Sequence, residues 1–81
     1  MNVLYFAWVR ERIGLPKEAA PEGVHTVMEL VEALRARGEH YALAFEDLSA
    51  LRVAVDQELV EFDHPLSGAS EVAFFPPMTG G

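Results

Sequence analysis

The sequence contains no cysteine, which removes thiolate metal sites, persulfide chemistry, cysteine nucleophiles and disulfide staples at once. Histidine is scarce: His25, His40 and His64 are scattered singly, and no metal site is expected from them. Cations are few as well. Six basic residues stand against thirteen acidic ones, a net charge of −7, which repels phosphate backbones and argues against nucleic acid as a partner. The longest uninterrupted apolar stretch, Val3 to Val9, is seven residues. A membrane helix needs ~20, and no basic segment precedes this stretch as a secretory signal would require. A soluble, cytoplasmic protein with no membrane partner is expected.

What is present is apolar and compact in pattern. At 81 residues and 51% hydrophobic content, the chain suits a single domain whose small size demands a dense core. Charge is unevenly distributed. Every basic residue lies at or before Arg52, so residues 53–81 carry Asp56, Glu58, Glu61, Asp63 and Glu71 without a cation. That third of the chain should attract a basic partner.

Val3 to Arg10 is rich in β-branched and aromatic residues and predicts a strand. Alternation sets Val3, Tyr5, Ala7 and Val9 on one face and Leu4, Phe6, Trp8 and Arg10 on the other. Gly14 and Pro16 mark a connection to a second strand around Lys17 to Ala20. Thr26 followed by Glu29 is a capping box, and Val27, Leu30, Val31 and Leu34 form the apolar stripe of a helix that Gly38 should end. Tyr41 to Leu48 suggests a short helical turn. Leu51 to Val55 and Leu59 to Phe62 read as strands joined by a tight turn at Asp56-Gln57, and Glu71 to Phe75 as the last strand. Strand, strand, helix, then three strands makes an α+β domain, one main helix packed across a mixed sheet, which is the order of the ubiquitin-like β-grasp fold. Residues 1–75 are expected to form that domain and residues 76–81 an extended tail.

The tail reads Pro76-Pro77-Met78-Thr79-Gly80-Gly81. Two prolines withhold amide donors and fix φ, so the last strand cannot continue. Six extended residues reach about 20 Å, and two glycines can pass through a channel too narrow for any Cβ. Such a tail can place its α-carboxylate deep inside another protein. Fraying is the competing explanation for a glycine-rich end, but fraying does not need a rigid spacer after an aromatic strand.

The stretch Phe74-Phe75-Pro76-Pro77-Met78-Thr79-Gly80-Gly81, the upstream Phe62-Asp63-His64-Pro65-Leu66 and the opening Leu4-Tyr5-Phe6-Ala7-Trp8-Val9-Arg10-Glu11 resemble the small, sulfur-carrying subunits of molybdopterin synthase, which serve molybdenum cofactor biosynthesis. The resemblance runs from end to end, with residues 16–50 matching mainly in pattern. It implies chemistry at Gly81. In that family an ATP-dependent, E1-like adenylating enzyme activates the C-terminal carboxylate, which then receives sulfur to become a thiocarboxylate. The tail, Pro76 through Gly81, enters the large subunit of the synthase, and the sulfur passes to a pterin precursor to form the dithiolene. The assembly implied is a heterotetramer, two carriers at opposite ends of a large-subunit dimer.

The residues agree with that scheme. A free carboxylate is a poor electrophile, yet the chain has no Gly-rich phosphate loop and no lysine near the tail to bind ATP; activation must come from outside. With no cysteine, any sulfur carried belongs on the terminal carbonyl, and no bound cofactor is expected. The protein is then a cosubstrate, non-catalytic alone. Two other fates of the tail stay open: sulfur carriage for thiamine synthesis or tRNA thiolation, and ubiquitin-like conjugation of Gly81 to lysines of target proteins.

Phe6, Trp8, Leu59 and Phe75 are candidates for an apolar docking patch, with Arg10 at its rim. Aromatics in a small domain are more often core, but Phe6 and Phe75 alternate out of phase with the better core sets Val3, Tyr5 and Val9, or Val72 and Phe74. The resemblance implies partner contacts at Phe6, Leu59 and Phe75; at Trp8 the family can carry polar residues. Asp63-His64 is expected to be a turn before Pro65, Glu58, Glu61 and Asp63 a solvated face, and Ser49, Ser67 and Ser70 lack the setting of a nucleophile.

Overall fold

The computed structural model describes residues 1–77. Five strands, β1 (Asn2–Tyr5), β2 (Lys17–Ala19), β3 (Arg52–Val55), β4 (Glu58–Val60) and β5 (Glu71–Phe75), are interleaved with α1 (Ala7–Ile13), α2 (Val27–Arg35) and α3 (Glu39–Ala44); a single 3₁₀ turn, Leu48–Ala50, precedes β3. The sheet order is β2-β1-β5-β3-β4. β1 and β5 run parallel, from Asn2↔Glu71 to Tyr5↔Phe74, and every other pairing is antiparallel. This is the α+β, mixed-sheet β-grasp architecture expected, with two short helices beside the main one.

The first predicted strand is cut in half. β1 stops at Tyr5 and α1 begins at Ala7, because the partners run out: the Phe6 amide makes the last bond to β5, to the Phe74 carbonyl at 3.1 Å, and β5 ends at Phe75. Backbone donors beyond that point need partners, and a helix supplies them within the segment. Val9 and Ile13, four apart, then reach the core from one helical face. Gly14 closes α1 in the left-handed region (φ 92°), its amide bonding the Arg10 carbonyl at 2.8 Å.

α2 forms where the capping box predicts. The Thr26 hydroxyl accepts from the Glu29 amide at 3.1 Å, while the Glu29 carboxylate accepts from the His25 amide at 3.1 Å. Two further donors of the first turn, the amides of Val27 and Met28, bond the carbonyls of His64 and Phe62. The predicted stripe Val27, Leu30, Val31 and Leu34 is buried, each side chain contributing about 1.5–3 kcal/mol. Burial therefore outweighs the cap, which contributes about 1 kcal/mol. α2 ends at Arg35, short of Gly38, which instead stands at the N-cap of α3. Arg35 holds that link by donating from Nε to the Phe45 carbonyl at 3.1 Å.

Helices and sheet meet in one core. Val3, Tyr5, Val53, Val55, Val72 and Phe74 line the inner face of the sheet, packed with Val9, Leu30, Val31, Leu34 and Phe45 from the helical side. Phe74 lies near its centre, stacked on Tyr5 (centroids 6.4 Å apart) and edge-on to Phe45 at 5.0 Å. One half-buried carboxylate ties the margin together. Glu18 of β2 accepts from the hydroxyls of Tyr5 (2.7 Å) and Tyr41 (2.8 Å) and from Arg37 Nη1 (2.7 Å). Burial first, and the hydrogen bond to Glu18 second, push the Tyr5 hydroxyl far above the ordinary tyrosine range; Tyr41 is raised by the same causes. Among the described residues no helix is long and apolar enough to cross a membrane.

Candidate functional site

β-Strand alternation leaves the second face of the sheet without a helix over it. Register places Leu4, Ala73, Ala54 and Leu59 in one row across β1, β5, β3 and β4, and Phe75 beside Arg52 in the next. Leu59 is 66% exposed and Phe6 46%, whereas Phe75 is half-buried. Phe6 follows Tyr5 as Phe75 follows Phe74, and the register of the parallel pair β1–β5 runs to Tyr5↔Phe74, so both phenylalanines come at the same end of that pair. Arg10 stands exposed on α1, one helical turn beyond Phe6, its amide directed at the Phe6 carbonyl. Register thus sets Phe75 and Leu59 on this outer face, in neighbouring rows, with Phe6 exposed at the end of β1, whereas Arg10 belongs to α1, which packs on the helical side of the sheet.

Trp8 does not join them. Because the strand gives way to α1, Trp8 packs from the helical side against the core and lines a hollow of about 280 Å³ with Leu43, Ala44 and Ala50. The Arg12 guanidinium lies 5.4 Å from its ring centroid, a cation–π contact that explains an indole at this place.

The chain leaves the sheet at the same end. Pro76 and Pro77 follow β5 directly and are half-buried; Met78, Thr79, Gly80 and Gly81 lie outside the described residues. Sequence reasoning missed Arg52, which pairs with Phe75 across β3 and β5 and is exposed beside the exit. A cation opening an otherwise acidic segment was the available signal. With Leu51, Leu59, Val60, Glu61 and Phe62, Arg52 lines a groove of about 520 Å³ along the sheet edge at β4. Glu58 and Glu61 are exposed, so the apolar face is bordered by carboxylates.

The other titratable candidates stand apart from this face. Asp63-His64 is a turn, closed by the His64 amide on the Glu61 carbonyl at 3.1 Å. Among the described residues no three His, Asp or Glu side chains gather into a metal-ligand set. What the arrangement offers is an uncovered, partly apolar sheet face with exposed Leu59, next to the point where Pro76 and Pro77 follow β5.

Comparison with known proteins accords with this geometry. A crystal structure of SAMP1 from Haloferax volcanii superposes with a TM-score of 0.72 at 23% identity, covering 100% of this chain and 98% of that one, a likeness of fold. Two curated relatives are each named molybdopterin synthase sulfur carrier subunit. The one from Escherichia coli is 47% identical over 81 residues, covering 100% of this chain and 99% of its own length. The other, from Haemophilus influenzae, is 38% identical with the same coverage. With the ThiS family profile matching residues 3–81 as well, the chain belongs to the ThiS family.

Proposed function

We propose that this protein is the sulfur carrier of a molybdopterin synthase, with Gly81 as the group that bears the sulfur. The observation that carries the proposal is the 47% identity to a curated carrier subunit, which extends over the whole chain, tail included. The fold supports it. Among the described residues the buried core reaches no further than Phe74, which suits a sheet that serves as the handle of a working tail.

The chemistry is then external to this domain. An adenylating enzyme joins the Gly81 carboxylate to AMP with release of pyrophosphate, and a sulfur donor displaces AMP to leave the thiocarboxylate. In the large subunit, the tail from Pro76 to Gly81 presents that sulfur to the pterin precursor and is left as carboxylate. Phe6, Leu59 and Phe75 provide the apolar contact, with Arg10 at the rim, and the acidic border orients a basic partner. Both enzymes must read the same exit, so the two complexes exclude each other. The carrier contributes the reacting atom but no catalytic side chain of its own.

Intact mass spectrometry tests this. Incubation with the cognate adenylating enzyme, ATP and a sulfur donor should replace one oxygen by sulfur, and addition of the large subunit and precursor should reverse the change as dithiolene forms. A mass that never changes sinks the proposal. Stable adducts to lysines without dithiolene would favour a protein modifier, and sulfur delivered only to thiamine precursors or tRNA would favour the other carriers.

A further inference from the structure

The junction between β1 and α1 holds an alanine in a backbone conformation that alanine does not favour. Ala7 has φ +52°, in the left-handed region where Cβ crowds the following carbonyl. Among the described residues the two other non-glycine positions with positive φ, Asp56 and Gln57, form the tight turn between β3 and β4; Ala7 lies in no hairpin and has no polar side chain to offset the crowding. Its surroundings impose the angle. On one side the Phe6 amide is bound to the Phe74 carbonyl at 3.1 Å; on the other the Phe6 carbonyl accepts from Val9 at 3.1 Å and Arg10 at 3.5 Å. Tyr5 before the junction and Val9 after it are fully packed, at 1% and 0% exposure. A single residue makes the whole change from sheet register to helix.

We infer that Ala7 is a positioning residue for partner docking: its left-handed turn sends α1 to the inner side of the sheet and pins the backbone of Phe6 at both its amide and its carbonyl. The Phe6 side chain is thereby held exposed, at the end of the β1–β5 pair where Phe75 closes β5, with the Arg10 backbone one turn away. An exposed aromatic on a pinned backbone loses little freedom when it docks, which is how pre-organisation adds affinity. This rests on the docking face assigned under the proposed function.

The test is a double-mutant cycle on binding of the cognate large subunit, with folding of every variant checked by circular dichroism. Ala7→Val resists the left-handed region and should raise Kd about tenfold or more in the chain that keeps Phe6, but less than about twofold in the Phe6→Ala chain. Ala7→Asn tolerates that region and should leave Kd near the parent value. If Ala7→Val does not fold, Ala7→Leu, unbranched at Cβ, carries the same comparison. A structural role alone would lower the melting temperature while leaving Kd unchanged, or change Kd equally in both backgrounds; either result overturns the inference. A partner-free readout separates the two proposals. Nuclear Overhauser contacts between the Phe6 amide proton and the backbone of β5, which the 3.1 Å bond from the Phe6 amide to the Phe74 carbonyl fixes, should be present in the parent and in Ala7→Asn and lost in Ala7→Val. If the parent fails to bind the large subunit, the proposed function falls while these contacts still decide the role of Ala7.

Discussion

Single side chains divide between those that hold the fold and those left exposed, which the proposed function assigns to a partner, and the two kinds should respond differently to substitution. Tyr5 belongs to the first. Its hydroxyl is buried against Glu18 and stays protonated to a pH well above that at which an unfolded tyrosine ionises. The unfolded chain therefore binds fewer protons once pH exceeds about 10, and stability should be constant below that value and fall above it. Denaturant titrations between about pH 8 and 11 check this; Tyr5→Phe should flatten the slope, and an unchanged slope would refute the assignment. Phe6 and Leu59 belong to the second kind. Each is exposed, so Phe6→Ala and Leu59→Ala should shift stability by about 0.5 kcal/mol or less while weakening the complex with the large subunit about tenfold, measured by calorimetry. Alternation alone placed Phe6 and Phe75 out of phase with Tyr5 and Phe74, because a strand's two faces are separated by one residue. The polar knot at Glu18 left no such trace, since it joins residues far apart in the chain.

Among the elements, α2 and the β3–β4 hairpin were legible because their signals are local. The capping box and stripe of α2 are complete within nine residues of helix and its cap, and Thr26→Ala should lower stability by about 1 kcal/mol in chemical denaturation. Asp56 and Gln57 both have positive φ (48° and 71°), the turn that matches strand twist. The Asp56 carboxylate also accepts from the amides of Ser70 and Glu71, each at 2.9 Å, anchoring the start of β5. Asp56→Ala removes the one oxygen, Oδ1, that accepts both bonds and should cost about 1–3 kcal/mol, more than Asp56→Asn, which keeps an amide oxygen there. The β1–α1 break was not legible. Val3 to Arg10 satisfies strand propensity throughout, and what ends β1 is the length of β5, a partner some seventy residues away. Gly38 misled for a related reason: glycine marks both ends of helices, and α3 claimed it.

At the scale of the whole molecule, the proposed function divides the chain into a folded handle and a working tail. Among the described residues the buried core ends at Phe74, and under the proposed function deleting Gly80 and Gly81 should leave the melting temperature within about 2 °C yet abolish dithiolene formation; loss of folding instead would place the tail within the cooperative unit. With a net charge of −7, association with a basic partner should slow about tenfold between roughly 0.05 and 0.5 M salt, read by stopped flow. The strand order was beyond sequence reasoning, since alternation gives faces but not neighbours. That order has a consequence for biogenesis. β5 lies between β1 and β3 although it is the last of the five strands in the chain, so two half-sheets emerge from the ribosome with open inner edges and nothing to join them. Assembly waits for the wedge that arrives last. Until it leaves the exit tunnel, the edges of β1 and β3 that it will cover stay unpaired and open to wrong partners.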